Sequence, residues 1–233
     1  MIRAVIFDLD DTLISEEEYI KSGFTHISNL LKIQTGKDSA YLFNELMSLY
    51  KADPKNVFNR LYDKLQVSYT ESQVIDLVKE YRSHKPLIKY YDDVTPCLNI
   101  LKANGIKLGI ITDGYAVAQK LKLEAVNAYK YFEEIIITDE LGKEYWKPSP
   151  LPFEIIRDKF NVKFDEMIYI GDNPEKDFYI SSIYPMKTFR ILRLNGVHQE
   201  NDYLASIKEN YRINSLDEIM SIIHYLNNNK REI

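Results

Sequence analysis

The chain has 233 residues, 45 % hydrophobic and 28 % charged, with a formal net charge of −5. That is ordinary globular composition, long enough for one large domain or a domain with an insertion, and its acidic balance argues against a nucleic-acid backbone as partner. Cys97 alone excludes an internal disulfide or a thiolate metal site, and no apolar run nears the ~20 residues of a membrane span. The four histidines show no paired ligand spacing, and no signal-like stretch opens the chain, so a cytoplasmic location is expected.

The first seven residues, Met1-Ile2-Arg3-Ala4-Val5-Ile6-Phe7, read as a buried parallel strand. They run into Asp8-Leu9-Asp10-Asp11-Thr12-Leu13, so Asp8 and Asp10 fall at the carboxyl end of that strand, the edge where open α/β sheets bind ligands. Like charges ~4 Å apart repel by about 4 kcal/mol at an effective dielectric of 20, a cost that a divalent cation removes. An Asp-rich turn that merely caps a helix is the plainer alternative. From Glu16 to His84 the pattern is helical: Ile20, Phe24, Ile27 and Leu31 mark one stripe, Val57, Leu61 and Leu65 another, Val74, Leu77, Val78 and Tyr81 a third. Breaks fall at Gly36, Asp53-Pro54 and residues 68–70.

After Lys85-Pro86, short apolar runs at 108–111, 135–137, 167–170 and 189–194 alternate with helical stretches at 96–103, 116–126, 153–160 and 175–182. Strand–helix repetition predicts a doubly wound parallel α/β sheet. Ser215-Leu216-Asp217-Glu218 fits a capping box opening a last helix. The expected organisation is an α/β core of residues 1–14 and 91–233, split by an all-helical insertion of residues 15–90. Three further polar clusters end core strands or open helices: Thr112-Asp113-Gly114, Lys147-Pro148-Ser149-Pro150, and Gly171-Asp172 continuing to Asp177. In a parallel sheet these meet Asp8 and Asp10 at one edge, bringing acid, hydroxyl and amine together in a set suited to Mg2+.

The order Asp8-x-Asp10-x-Thr12-Leu13, Thr112 with Gly114, Lys147-Pro-x-Pro-x-x-Phe153, and Gly171-Asp172-x-x-x-x-Asp177 resembles the haloacid dehalogenase superfamily, in its phosphatase branch with a helical cap after the first motif. The resemblance implies a magnesium-dependent phosphomonoester hydrolase acting on a small phosphorylated metabolite, a nucleoside monophosphate or a sugar phosphate, through an aspartyl-phosphate. It implies Asp8 as nucleophile and Asp10 as general acid and base. Thr112, with backbone amides around Asp113 and Gly114, would bind the phosphoryl group, and Lys147 would offset its charge. Asp8, Asp172 and the carbonyl of Asp10 would hold the metal, and Asp177 would act from behind them.

Gln119 and Lys122 follow Gly114 at a spacing that also resembles this superfamily, but are expected on a helix surface, outside the site. Asp113 stands where many relatives carry Asn, which is unfavourable beside a phosphate unless its carboxylate is paired or turned away. A phosphosugar mutase with the same chemistry and an inactive binding module are the alternatives; the intact Asp8 and Asp10 favour catalysis. A signalling receiver domain fits poorly, being about half this size. The sequence leaves the oligomeric state open.

Overall fold

The computed structural model describes residues 1–199 and 202–229; residues 200–201 and 230–233 of the expected core lie outside the described residues. The chain divides into two compact units, Met1–Glu16 with the residues from Lys89 onward, and Glu17–Ile88. Among the described residues, no helix is long and apolar enough to cross a membrane.

Strand β1 (Ala4–Phe7) is buried at every position. The helical unit follows, with α1 (Glu16–Thr35), α2 (Ser39–Ala52), α3 (Val57–Leu65) and α4 (Glu71–Ser83). Asp38 caps α2 by accepting from the amides of Ala40 and Tyr41, and Thr70 forms a capping box with Gln73 at the start of α4. Their apolar stripes meet in one core holding Phe24, Ile27, Leu42, Leu46, Leu61 and Leu77. The unit therefore has a hydrophobic centre of its own.

The rest of the chain builds the sheet and its covering helices: α5 (Val94–Ala103), β2 (Lys107–Thr112), α6 (Ala116–Ala125), β3 (Glu134–Ile137), α7 (Leu151–Phe160), β4 (Met167–Gly171), α8 (Ile180–Ile183), β5 (Lys187–Ile191), β6 (Tyr211–Ile213) and α9 (Ile219–Asn229). The six strands among the described residues pair in parallel, in the order β3-β2-β1-β4-β5-β6. A parallel sheet must be covered on both faces, which explains the apolar runs of β1, β2 and β4. Strand order reverses between β1 and β4, and at such a switch point the connecting segments leave in opposite directions and open a crevice. Phe7 is in register with Ile110 of β2 and Ile170 of β4, so Asp8, Thr112 and Asp172 all emerge at that crevice edge.

Three expectations shift. The helix expected at 175–182 is reduced to α8, because Asn173 holds the preceding segment in a turn: its side-chain oxygen accepts from Glu175 N at 2.9 Å and its carbonyl from Asp177 N at 3.0 Å. The strand expected at 189–194 lies two residues earlier and ends at Ile191. The edge strand β6 was not expected, since three residues carry too little alternation to read.

Candidate active site

At the end of β1, Asp8 N donates to Ile170 O at 2.8 Å, which ties the acidic turn to β4. The Asp8 carboxylate is buried, and its Oδ1 accepts from Lys147 Nζ at 2.7 Å. Lys147 comes from the segment before α7. Its ammonium, wholly enclosed, also donates to Tyr169 Oη of β4 at 2.7 Å and pairs with Asp177 Oδ1 at 2.9 Å. Burial alone would lower the Lys147 pKa, but Asp177 and Asp8 hold it well above the ordinary lysine value, so it stays charged. Burial pushes the Asp8 carboxyl up to about 6; Lys147 works against that rise and Asp177 adds to it.

Asp172, one residue past β4, is buried too, and burial reinforced by Asp177 and Asp8 raises its pKa strongly. Asp8, Asp172 and Asp177 each offer a carboxylate oxygen within 4.8 Å of the others. Three acids against one lysine leave an excess of negative charge, and hard oxygen donors with no imidazole or thiolate among them fit magnesium. Both Asp177 oxygens are already engaged, Oδ1 by Lys147 and by Tyr169 Oη (3.1 Å), and Oδ2 by Asn173 N (2.9 Å). This leaves Asp8 and Asp172 as the carboxylates free to ligate. Gly171 makes the arrangement possible: a Cβ there would lie 2.3 Å from Asp177 Oδ2.

At the end of β2, Thr112 Oγ1 is buried without a hydrogen-bond partner among the described residues. An orphaned buried hydroxyl costs about 1–3 kcal/mol, and a phosphoryl oxygen would relieve that cost. The next residue, Asp113, is fully paired: Oδ1 accepts from the Thr138 hydroxyl (2.8 Å) and Lys147 N (3.1 Å), and Oδ2 from Lys176 Nζ (2.9 Å). The carboxylate that looked unfavourable beside a phosphate thus braces the Lys147 segment.

The side chain of Asp10 is not in the acidic cluster. It turns to α6, where Lys122 Nζ lies 2.8 Å from both of its oxygens and Gln119 Nε2 donates to Oδ2 at 3.0 Å.

A family model described as haloacid dehalogenase-like hydrolase matches residues 5–190. The chain belongs to that family. It is 29 % identical to a glyceraldehyde 3-phosphate phosphatase of Methanocaldococcus jannaschii over 97 % of this chain and 99 % of that one. A glyceraldehyde 3-phosphate phosphatase of Methanopyrus kandleri is 32 % identical over 86 % of this chain and 87 % of the other. Among solved structures, the HAD hydrolase YfnB of Bacillus subtilis, bound to magnesium, superposes with a TM-score of 0.64 at 18 % identity, covering 95 % of this chain and 98 % of that one, a likeness of fold. The named relatives place this hydrolase among the phosphatases.

Two corrections belong to this haloacid dehalogenase-like site. Gln119 and Lys122 do not lie on a helix surface; they are 3 % and 5 % exposed and hold Asp10. The signal was present in the spacing, since Gln119, Lys122, Leu123 and Val126 share one helical stripe. Tyr169 and Lys176 were also missed, the first hidden within an apolar strand and the second within a charged turn. Arg193 and His198 take structural partners: Arg193 donates to Thr12 O and Asp93, and His198 Nε2 lies 2.9 Å from Asn173 Nδ2.

Proposed function

We propose that this chain is a magnesium-dependent phosphomonoester hydrolase working through an aspartyl-phosphate. The observation that carries the proposal is the ion pair of Asp8 with the enclosed Lys147, next to an orphaned Thr112 hydroxyl at the adjoining strand end. Asp8 Oδ attacks phosphorus, the P–O bond to the alcohol breaks, and Asp10 gives its proton to the departing oxygen. Asp10, now a carboxylate, takes a proton from water as that water attacks the phosphorylated Asp8, and inorganic phosphate leaves. Thr112, the amides of Asp113 and Gly114, and Lys147 bind the phosphoryl oxygens throughout. Asp8, Asp172 and the Asp10 carbonyl would hold Mg2+, with Asp177 steadying Lys147 behind them; the ion would neutralise phosphoryl charge.

Residues 1–14 and 91–233 form the catalytic core in this proposal, and the helical residues 15–90 its cap. The substrate is a small phosphorylated metabolite, and triose phosphates of the glyceraldehyde 3-phosphate type come first because two relatives are named for that substrate. Nucleoside monophosphates, the other class expected from the sequence, enter the same screen, and a cytoplasmic site of action goes with such metabolites. The test is phosphate release from glyceraldehyde 3-phosphate and an aryl phosphate, with and without Mg2+, using Asp8→Asn as blank. Magnesium-dependent release abolished in the variant is expected. Return of the phosphoryl group to the sugar instead of water would make the protein a mutase, and release unaffected by Asp8→Asn would refute the mechanism.

A further inference from the structure

Helix α6 carries two polar side chains on its inner face, where its stripe would otherwise be apolar. Gln119 and Lys122 are one turn apart and nearly as enclosed as Leu123 beside them. Burying an ammonium and an amide is costly, and a buried ion pair is often no better for stability than well-packed apolar side chains. Packing alone therefore does not account for them.

Both side chains converge on one carboxylate. Lys122 Nζ lies 2.8 Å from Asp10 Oδ1 and 2.8 Å from Oδ2, and Gln119 Nε2 lies 3.0 Å from Oδ2. The Gln119 amide is itself fixed by a second bond, Nε2 to Asp113 O at 2.6 Å, which settles which end of the amide faces Asp10. That orientation leaves Gln119 Oε1 buried without a partner, so the amide is placed for Asp10 at the expense of its own satisfaction. Gly114 adapts to it as well: its φ is +129°, and a Cβ there would lie 2.6 Å from Gln119 Nε2. The strand-end glycine makes room for the amide that reaches Asp10.

We infer that Gln119 and Lys122 are positioning residues for the proton transfer made by Asp10, an inference that rests on the phosphatase mechanism proposed above. As the Asp10 O–H bond breaks and the alcohol oxygen takes the proton, negative charge appears on the Asp10 carboxylate. Lys122 offsets that charge where it forms, and Gln119 keeps the carboxylate from rotating. The donors are in place before the reaction, so no reorganisation is needed at that moment.

The discriminating quantity is the leaving group. A nitrophenolate departs without a proton, whereas an alkoxide needs one, so loss of proton transfer weighs on alkyl phosphates far more than on aryl phosphates. The experiment measures kcat/KM of wild type, Lys122→Met and Gln119→Leu on 4-nitrophenyl phosphate and on glycerol phosphate, with saturating Mg2+. This parameter covers the steps up to departure of the alcohol, and a misfolded fraction cancels in the ratio of the two substrates. Lys122→Met is expected to lower the alkyl-to-aryl ratio by about tenfold to a hundredfold, and Gln119→Leu by a smaller factor in the same direction. An unchanged ratio in either direction of total activity, with wild-type hydrolysis abolished by Asp8→Asn, overturns this inference alone. Absence of any Asp8-dependent hydrolysis in the wild type overturns the phosphatase mechanism, and the inference with it.

Discussion

Without a divalent cation this protein should be more stable at pH 5.0 than at pH 7.5, the reverse of the usual trend. Burial lifts the Asp8 carboxyl from 3.8 to about 6, and burial with the nearby Asp10 lifts Glu16 from 4.5 to about 7. A carboxyl whose pKa is raised on folding binds more protons in the folded state, so its contribution is largest at low pH and is lost as pH rises through the folded value. The window here runs from about pH 4 to pH 7. Applied to these two groups between pH 7.5 and 5.0, linkage gives a gain of about 4 kcal/mol. Asp11 and Asp172 are raised as well and add to it. His198 opposes them, because burial and Lys176 lower its pKa and the unfolded imidazole takes a proton below about 6.5. Even an imidazole neutral throughout would return only ~2 kcal/mol at pH 5. The remaining ~2 kcal/mol corresponds to a rise in Tm of about 4–8 °C. Thermal unfolding followed by circular dichroism in EDTA at the two pH values measures it directly. Added Mg2+ should raise Tm at pH 7.5 and flatten the difference, since a bound cation keeps the carboxylates ionised. A higher Tm at pH 7.5 than at pH 5.0 in EDTA would refute the reasoning.

Gly171→Ala places a methyl 2.3 Å from Asp177 Oδ2 and must displace the carboxylate that steadies Lys147; kcat should fall at least about tenfold with a loss of ~2 kcal/mol in stability, and unchanged steady-state kinetics would count against the role of Asp177. Asp113→Asn leaves Lys176 uncompensated near the phosphate site, so KM for an anionic ester should drop about threefold to tenfold, whereas a higher KM would show that the Asp113 charge assists binding. Arg193→Met removes two bonds to Thr12 O (3.1 and 2.7 Å) and the 2.7 Å pair with Asp93, at a cost of about 3 kcal/mol in urea unfolding. Burial would raise the Asp93 pKa, but Arg193 and the Leu216 amide bring it below the ordinary value, so the wild-type advantage holds above pH ~4 and shrinks as pH falls through that range; a deficit independent of pH would exclude Asp93 as its source.

Much of the sheet and of the acidic site was legible because both follow from short-range rules. Three apolar runs ended in Asp8, Thr112 and Asp172, and parallel pairing sends every such end to one edge, which is how these residues could be placed together from spacing. The partners that hold them were harder to see. Tyr169 reads as one more aromatic in a buried strand until its hydroxyl is found between Lys147 and Asp177. Lys122 and Gln119 read as solvated helix positions because lysine and glutamine usually are, although their spacing to Leu123 and Val126 put them on the inner face. Residues 175–179 looked helical by composition, but the Asn173 side chain captured the first free amide and set a turn instead. For Gln119 and Lys122 the deciding partner is Asp10, more than a hundred residues away, and pattern within a window of ten residues does not contain it.

Charge in the crevice follows a simple accounting once the partners are named. Asp8 and Asp177 share Lys147, Asp10 has Lys122, Asp113 has Lys176, and Asp93 has Arg193. Asp11 has no ion pair among the described residues but accepts the amides of Glu16 (2.9 Å) and Val197 (2.7 Å). For Asp172 there is no ion pair or side-chain hydrogen bond among the described residues, although it is buried within reach of Asp8 and Asp177. A carboxylate in that position stays ionised only if a further positive charge joins it. A cation beside Asp8 and Asp172, where the acidic turn after β1 meets the end of β4, would supply that charge. An enzyme that gathers a phosphate ester beside its own carboxylates gains from positive charge at that spot, where it meets the ester and the acids together.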